Sequence, residues 1–407
     1  MIRKLAIRQL QPGMYVVSLH RPWLGHSFWR HRFKIGNAEQ IVRLVEEGVT
    51  EVSIDTERGI DLPAEDSSLP VPGSGLRDHR SVRHPGGLAG KPASVSLGEE
   101  RRRAIRLIGE TSVVVADLME AARAGRHVDA ARLEPVVGKI LASVLRNRDA
   151  LAPLARLKHG DAYAIEHAIA TTALMIALGH QQGLPEAELE KLALGTLVKD
   201  IGESASAAQL SARPGSLSPE EYAVIQSHVE EGLAVLRATA SLPETAVAVV
   251  LEHHERYNGG GYPCHMSGDG ISAAGRMASI VDSYDAMTSD RPYRAAISPY
   301  TALGMLYNQG GNLFDPELVA AFIHTVGIYP VGTLVRLESS HLAVVDEVHR
   351  DNLLHPVVRV IYHAARRQYV APAIVDLSRA VGNHYGQIVQ AEDYERWGLS
   401  PLRWQPA

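Results

Sequence analysis

A single cysteine, Cys264, stands among 407 residues. One thiol excludes an intrachain disulfide framework and fits a reducing compartment, leaving Cys264 as an incidental small residue of a Tyr-Pro-Cys turn. Long apolar runs are also missing: none approaches the roughly 20 residues that span a bilayer. The opening MIRKLAIRQLQPG has one short apolar patch broken by Arg8 and no small-residue cleavage site, so no secretory leader is expected. A cytoplasmic protein is expected. Excess charge is lacking too, the formal net charge being −5. That value gives no bulk attraction to nucleic acid or to an anionic membrane, so any phosphate recognition must be local. Hydrophobic residues, at 45%, are ordinary for a globular chain long enough for two or three domains.

One stretch concentrates the chemistry. Residues Glu252 to Arg294, EHHERYNGGGYPCHMSGDGISAAGRMASIVDSYDAMTSDRPYR, bring together two adjacent histidines, a glycine-rich turn closed by Tyr262-Pro263, a helix with Asp282 and Asp285, and an Arg-Pro-Tyr-Arg turn. Adjacent residues on a helix point about 100° apart. His253 and His254 therefore suit a cluster of ions better than a single one, and a surface or capping role is the alternative.

The run HHERYNGGGYP followed by MASIVDSYDAMTSDRPYR resembles the HD-GYP family of bacterial phosphohydrolases, which hydrolyse the second messenger cyclic di-GMP. The resemblance covers about Ala162 to Val326, some 40% of the chain. It implies a metal-dependent phosphodiesterase that opens cyclic di-GMP to pGpG or GMP with a metal-activated water. Two ions about 3.5–4 Å apart suit such a reaction, since they activate the water and neutralise the phosphoryl oxygens. Six residues match the family's ligand positions in order: His167, Asp200, His228, His253, His254 and Asp282. Asp200 is also the expected catalytic residue. Mixed imidazole and carboxylate donors suit iron or manganese, with zinc the other option, at one or two ions per chain.

Substrate contacts are expected from the glycine loop and the basic turn. Gly259, Gly260 and Gly261 allow close backbone approach, so their N–H groups can face a phosphate; a simple tight turn explains the spacing equally well. By resemblance, Tyr262 and Pro263 border the dinucleotide. Arg291 and Arg294 offer guanidinium groups to phosphate oxygens or a guanine edge. Asp285 and Asp290 are expected to hold this turn by hydrogen bonds.

The chain departs from the family at three positions. Where the family has His-Asp-Ile-Gly-Lys, this chain reads Lys199-Asp200-Ile201-Gly202-Glu203. An ammonium has no lone pair to give and repels a cation. Lys199 is therefore expected to pair with Asp200 or Asp282 and take the place of one metal. Glu203 removes a positive charge expected near the substrate phosphate. Asn258 replaces a family aspartate and is expected to weaken support behind the metal ligands. Two functions follow: a phosphodiesterase of reduced activity, or a catalytically silent cyclic di-GMP receptor or scaffold.

The expected fold is mainly α, an all-helical core of the HD superfamily preceded by a small α+β domain and followed by a β-rich appendage. Residues 1–61 carry short strands at Ala6-Ile7, Met14 to Val17 and Glu51 to Ile54 and a helix from Asn37 to Glu47; the pattern LxPGMYVV, RPW and GVxxVxxDTxxG resembles a domain often found before HD-GYP domains. Its aromatic and basic cluster, Arg21, Trp23, His26, Phe28, Trp29, Arg30, His31 and Arg32, offers a surface for a protein partner, or forms a half-buried hairpin. Residues 62–98, rich in Pro, Gly, Ser and charge without period, read as a flexible linker. Two amphipathic helices within 99–158 serve to pack the core, or to form a homodimer. The HD-GYP domain is expected at 159–327, with Asp161 capping the helix of His167. Residues 328–407 carry strands at Thr333 to Leu337, Ala343 to Val348 and Val357 to Tyr362, then a packed tail with Tyr394 and Trp397.

Overall fold

The computed structural model describes residues 2–18, 33–35, 41, 51–56, 58–59, 95–155, 163–211, 213, 215, 217–239, 242–290, 295–379 and 384–400. It forms two compact units, residues 1–89 and 90–407. The expected helix from Asn37 to Glu47, apart from Ile41, and the cluster Arg21 to Arg32 lie outside the described residues, as do residues 62–94 of the expected linker and the cap at Asp161.

In the first unit, β1 (Ile2–Ala6), β2 (Tyr15–Ser18), β3 (Phe33–Lys34) and β4 (Glu51–Asp55) form an antiparallel sheet in the order β1-β4-β2-β3. Ile7 leaves the first strand and enters a 3-10 turn, so the strand expected at Ala6-Ile7 lies earlier than its two residues suggest. Leu5, Leu10, Met14, Val16, Ile35, Val52 and Ile54 form the core of this unit.

The second unit begins with α1 (Leu97–Arg123), whose cap Ser96 accepts from Glu99 N. It packs on α2 (Glu134–Arg146) and α3 (Arg148–Ala155). Glu100 on α1 is fully buried and takes hydrogen bonds from Ser143 Oγ and from both Nε and Nη2 of Arg146, all at 2.8 Å. Burial raises the carboxyl pKa, but the bonds from Arg146 and Ser143 outweigh it and the net direction is down. A depressed pKa contributes stability that is present above the unfolded value of about 4.3 and is lost as pH falls through the folded value. Glu100→Gln should therefore lower the unfolding free energy by about 2 kcal/mol at pH 7. Chemical denaturation at pH 7 and at pH 3 checks this, and the deficit should shrink at the lower pH.

α4 (Tyr163–Gln181) is buried without a break from His167 to Gly179 and forms the central rod of the helical core. A helix apolar on every side belongs inside a bundle. Around it stand α5 (Glu186–Val198) and α10 (Ala273–Met287), with α9 (Glu244–Glu252) packed on both. Between α5 and α9 the chain makes α6 (Ala205–Ser211), α7 (Pro219–Gln226) and α8 (His228–Thr239). One helix carrying His228 is expected from the capping box at Ser218; the helix instead breaks at Ser227, and His228 opens the next one. α11 (Pro299–Asn308) and α12 (Pro316–Val326) start at Ser298 and Asp315, whose side chains accept from Thr301 N and from Glu317 and Leu318 N.

The C-terminal part is a five-stranded antiparallel sheet in the order β8-β7-β6-β5-β9. The strands are β5 (Leu334–Leu337), β6 (His341–Glu347), β7 (Val357–His363), β8 (Gln368–Asp376) and β9 (Ile388–Glu392). Three are expected from sequence. β8 and β9 escape that reading because they are the two edges: β8 is mostly exposed, contains Pro372, and lacks a buried face to give it period-2 patterning. Tyr394 and Trp397 pack against Leu334, Leu342 and Tyr362. Ion pairs join sheet and helices, Arg101 with Asp346 at 3.2 Å and Arg350 with Asp149 at 2.7 Å.

Candidate metal centre

The ligand-type residues come from five places that the helical core brings together. His167 lies on α4, Lys199 and Asp200 on the turn ending α5, His228 at the start of α8, His253 and His254 just past α9, and Asp282 on α10. Gly202 makes the approach feasible: a Cβ there would lie 2.2 Å from His228 O and 2.3 Å from Gly232 N, so the turn bearing Asp200 can sit against α8 only without one.

Two clusters result, and they share Asp200. Asp200, His228, His253 and His254 each offer a donor atom within 4.8 Å of the others, and so do His167, Asp200 and Asp282. The expectation that adjacent histidines diverge is corrected here. The pair follows Glu252, the last residue of α9, with His253 still in helical backbone conformation, and the two rings lie 4.1 Å apart between centroids.

The first cluster fits a cation. His228 Nδ1–H donates to Ile225 O at 2.6 Å and His253 Nδ1–H donates to Val250 O at 2.9 Å. A carbonyl oxygen only accepts, so each ring in its neutral form turns its Nε2 lone pair to the cluster, where the two Nε2 atoms lie 3.3 Å apart. Asp200 Oδ1 lies 3.6 Å from one and 3.4 Å from the other. Convergent lone pairs and a carboxylate require positive charge between them. Burial, then the neighbouring His253, pushes the pKa values of His228 and His254 down, which keeps both rings neutral and able to ligate.

The second cluster already has its cation. Lys199, 1% exposed, places Nζ 2.7 Å from Asp282 Oδ1 and 3.0 Å from His167 Nε2, and also donates to Asp200 Oδ2. His167 Nδ1 bonds the buried Asp285 at 2.7 Å, and its Nε2 lies 3.0 Å from Asp282 Oδ1 as well as 3.0 Å from Nζ, so the ring is wedged between two carboxylates beside the ammonium. An ammonium has three N–H groups, and the Asp200 and Asp282 carboxylates take two of them. Burial works against the charged lysine, but Asp200 and Asp282 outweigh it and hold its pKa above the ordinary value. Burial likewise raises the two carboxyl groups, and Lys199 in turn holds both well below the usual carboxylate range. Sequence expects a pairing with Asp200 or Asp282; the structure has both, and His167 as well.

The remaining departures lie further out. Glu203 pairs with Arg123 at the end of α1, at 3.6 Å, while Arg123 Nε donates to Glu203 O at 3.1 Å. Burial, then Asp200, raises the Glu203 pKa. Asn258 is exposed on the loop, accepting from Gly260 N at 2.9 Å and donating to Asn312 Oδ1 at 3.0 Å. It braces the loop, which corrects the expectation that it supports the metal ligands.

Gly259 N and Gly260 N donate to Arg256 O and Asn258 Oδ1, so the tight turn describes these two N–H groups and they do not face a ligand. At Gly261 a Cβ would lie 2.3 Å from Arg256 N, so the turn closes only with glycine. The Tyr262-Pro263 peptide is cis, and the Tyr262 ring stacks on His254 at 4.6 Å between centroids. Glu255, unremarked in the sequence beyond its place in the HHE motif, is buried and accepts from Cys264 N and Met266 N, anchoring this loop. Asp290 accepts from Ala296 N, while Asp285, expected to hold the same turn, instead bonds His167. Arg291 and Arg294 lie outside the described residues.

A family model described as HD domain matches residues 140–318, and one described as a domain of unknown function (DUF3391) matches residues 2–133. The chain is 38% identical to a cyclic di-GMP phosphodiesterase of Pseudomonas aeruginosa over 99% of its own length and 95% of that protein's. The chain belongs to the HD-GYP family. Two further relatives match less than half of the chain. The cyclic di-GMP phosphodiesterase response regulator RpfG of Xanthomonas campestris is 32% identical over 44% of this chain and 48% of its own. A 3′3′-cGAMP-specific phosphodiesterase of Vibrio cholerae is 34% identical over 35% of this chain and 27% of its own. The DUF3391 match runs beyond the first unit and takes in the whole of α1. Among the described residues no helix is long and apolar enough to cross a membrane.

Proposed function

We propose that this HD-GYP chain hydrolyses cyclic di-GMP to pGpG or GMP at a centre with one divalent ion beside one fixed ammonium. The observation that carries the reading is the position of Lys199 Nζ among His167, Asp200 and Asp282, with the other cluster left intact. Asp200, His228, His253 and His254 would hold the ion, iron or manganese by their donor types, with zinc the other option. Bound there, a divalent ion supplies a Lewis acid and a water of lowered pKa.

Asp200 is the hinge of this arrangement, with Oδ1 toward the two histidines and Oδ2 on Lys199. Lys199 keeps Asp282 and Asp200 charged and in place, but it is buried among them and does not reach a substrate. It contributes a field of one positive charge where an ion would contribute two. Reduced turnover follows from that difference. Tyr262 and Pro263 border the dinucleotide, and Arg291 and Arg294 take its phosphate or a guanine edge. The N-terminal domain offers the surface for a protein partner, and the catalytic segment is residues 159–327 of a cytoplasmic protein.

The test is hydrolysis of cyclic di-GMP by protein purified without oxygen and supplied with iron or manganese. Turnover should fall by about 1000-fold in Asp200→Ala, or ~4 kcal/mol. Binding of cyclic di-GMP without turnover would make the protein a receptor built on a disabled hydrolase. Preference for 3′3′-cGAMP run in parallel would change the substrate.

A further inference from the structure

α7 lies against α6 and α8 without burying any of its residues. It is eight residues long, far below the length at which an isolated helix holds itself, and none of its residues is buried. Yet it is tied down at both ends. Ser218 and Glu221 form a reciprocal capping box, and the Arg213 guanidinium forks onto Glu221 at 2.6 and 2.7 Å. At the other end, Ile225 O takes the Nδ1–H of His228, so the helix is coupled to a residue of the metal cluster.

What this fixed helix presents is Tyr222, 46% exposed. Its ring meets Tyr262 in a T-shaped contact at 6.2 Å, and Tyr262 in turn stacks on His254 at 4.6 Å. An aromatic run therefore leads from the cluster out to solvent and ends on an open ring. In a dinucleotide the base sits one sugar away from the phosphate. A phosphate at the metal cluster puts a base within reach of that ring.

We propose that Tyr222 is a stacking platform for one nucleobase of the cyclic dinucleotide. The proposal rests on the phosphodiesterase reading above and adds a residue that positions the substrate. Stacking uses the π-face common to all bases, so the platform adds affinity without choosing between guanine and adenine.

The experiment measures dissociation constants of metal-loaded protein for cyclic di-GMP and 3′3′-cGAMP, together with kcat, KM and metal per chain. Tyr222→Ala should weaken both ligands by the same factor, about 10- to 100-fold, and raise KM alike. The value of kcat and the metal content should stay unchanged, which a collapse of α7 onto His228 would not permit. Tyr222→Phe and Tyr222→Trp, which keep the π-face, should bind as the unaltered protein does. Unchanged affinity in Tyr222→Ala overturns the platform and leaves the phosphodiesterase reading standing. Weakening of one ligand only, or a loss in Tyr222→Phe equal to that in Tyr222→Ala, also overturns it, because a polar contact would then be the cause. If the unaltered protein binds neither dinucleotide, the phosphodiesterase reading fails and the platform fails with it.

Discussion

Lys199→Met is expected to destabilise the metal-free protein by about 3–5 kcal/mol, the cost of leaving a buried charge without its partner. The side chain volume is nearly kept, so the loss is electrostatic. Asp200 and Asp282 are held ionised by this ammonium, and both lose their charged partner. A divalent ion at the vacated position replaces the missing charge. Denaturant titration of Lys199→Met with excess EDTA and then with manganese should show a deficit that the metal largely repairs. At 100 times its dissociation constant the ion contributes about 2.7 kcal/mol. The unaltered protein should gain less from the same addition, since it has one ion position where the variant has two. Equal gains in the two proteins would show that Lys199 does not stand at an ion position.

The ligand-type residues are legible in the sequence because they match the HD-GYP pattern in order. Ser298-Pro299 and Asp315-Pro316 fall where expected, and His167, Asp200, His228, His253, His254 and Asp282 converge. Two kinds of fact stay hidden. One is where a helix stops: nothing in VVLEHHER marks Glu252 as the last helical residue, and the geometry of His253 and His254 depends on it. The other is what a long side chain reaches. Lys199 reaches two carboxylates and Glu203 meets Arg123, 80 residues away in sequence, and neither pairing leaves a periodic trace. Tyr222 is the same case reversed, an aromatic whose exposure is decided by the absence of neighbours. The edge strands β8 and β9 fail for want of a buried face, while the buried strands β5 to β7 are read as apolar runs between turn residues.

Lys199→His should raise bound metal from about one to about two ions per chain and raise turnover of cyclic di-GMP by about 100-fold. The substitution restores a lone pair at the point where Nζ now lies, between His167 Nε2 and Asp282 Oδ1, and removes the positive charge that repels an ion. His167 needs no rearrangement: its Nδ1 already rests on Asp285 and its Nε2 already faces inward. Asp200 becomes the carboxylate between two ions in place of one between an ion and an ammonium. A second ion neutralises both the attacking and the leaving oxygen, and 100-fold corresponds to ~2.7 kcal/mol of barrier, within the several kcal/mol that such charge stabilisation supplies. Metal analysis and turnover must move together. A rise in metal with no gain in rate would put the limit elsewhere, with Glu203 the first residue to change, since it stands where the family has lysine and Glu203→Lys restores the positive charge there. A metal count that stays at one would mean that His167 and Asp282 do not form an ion site even when the ammonium is gone.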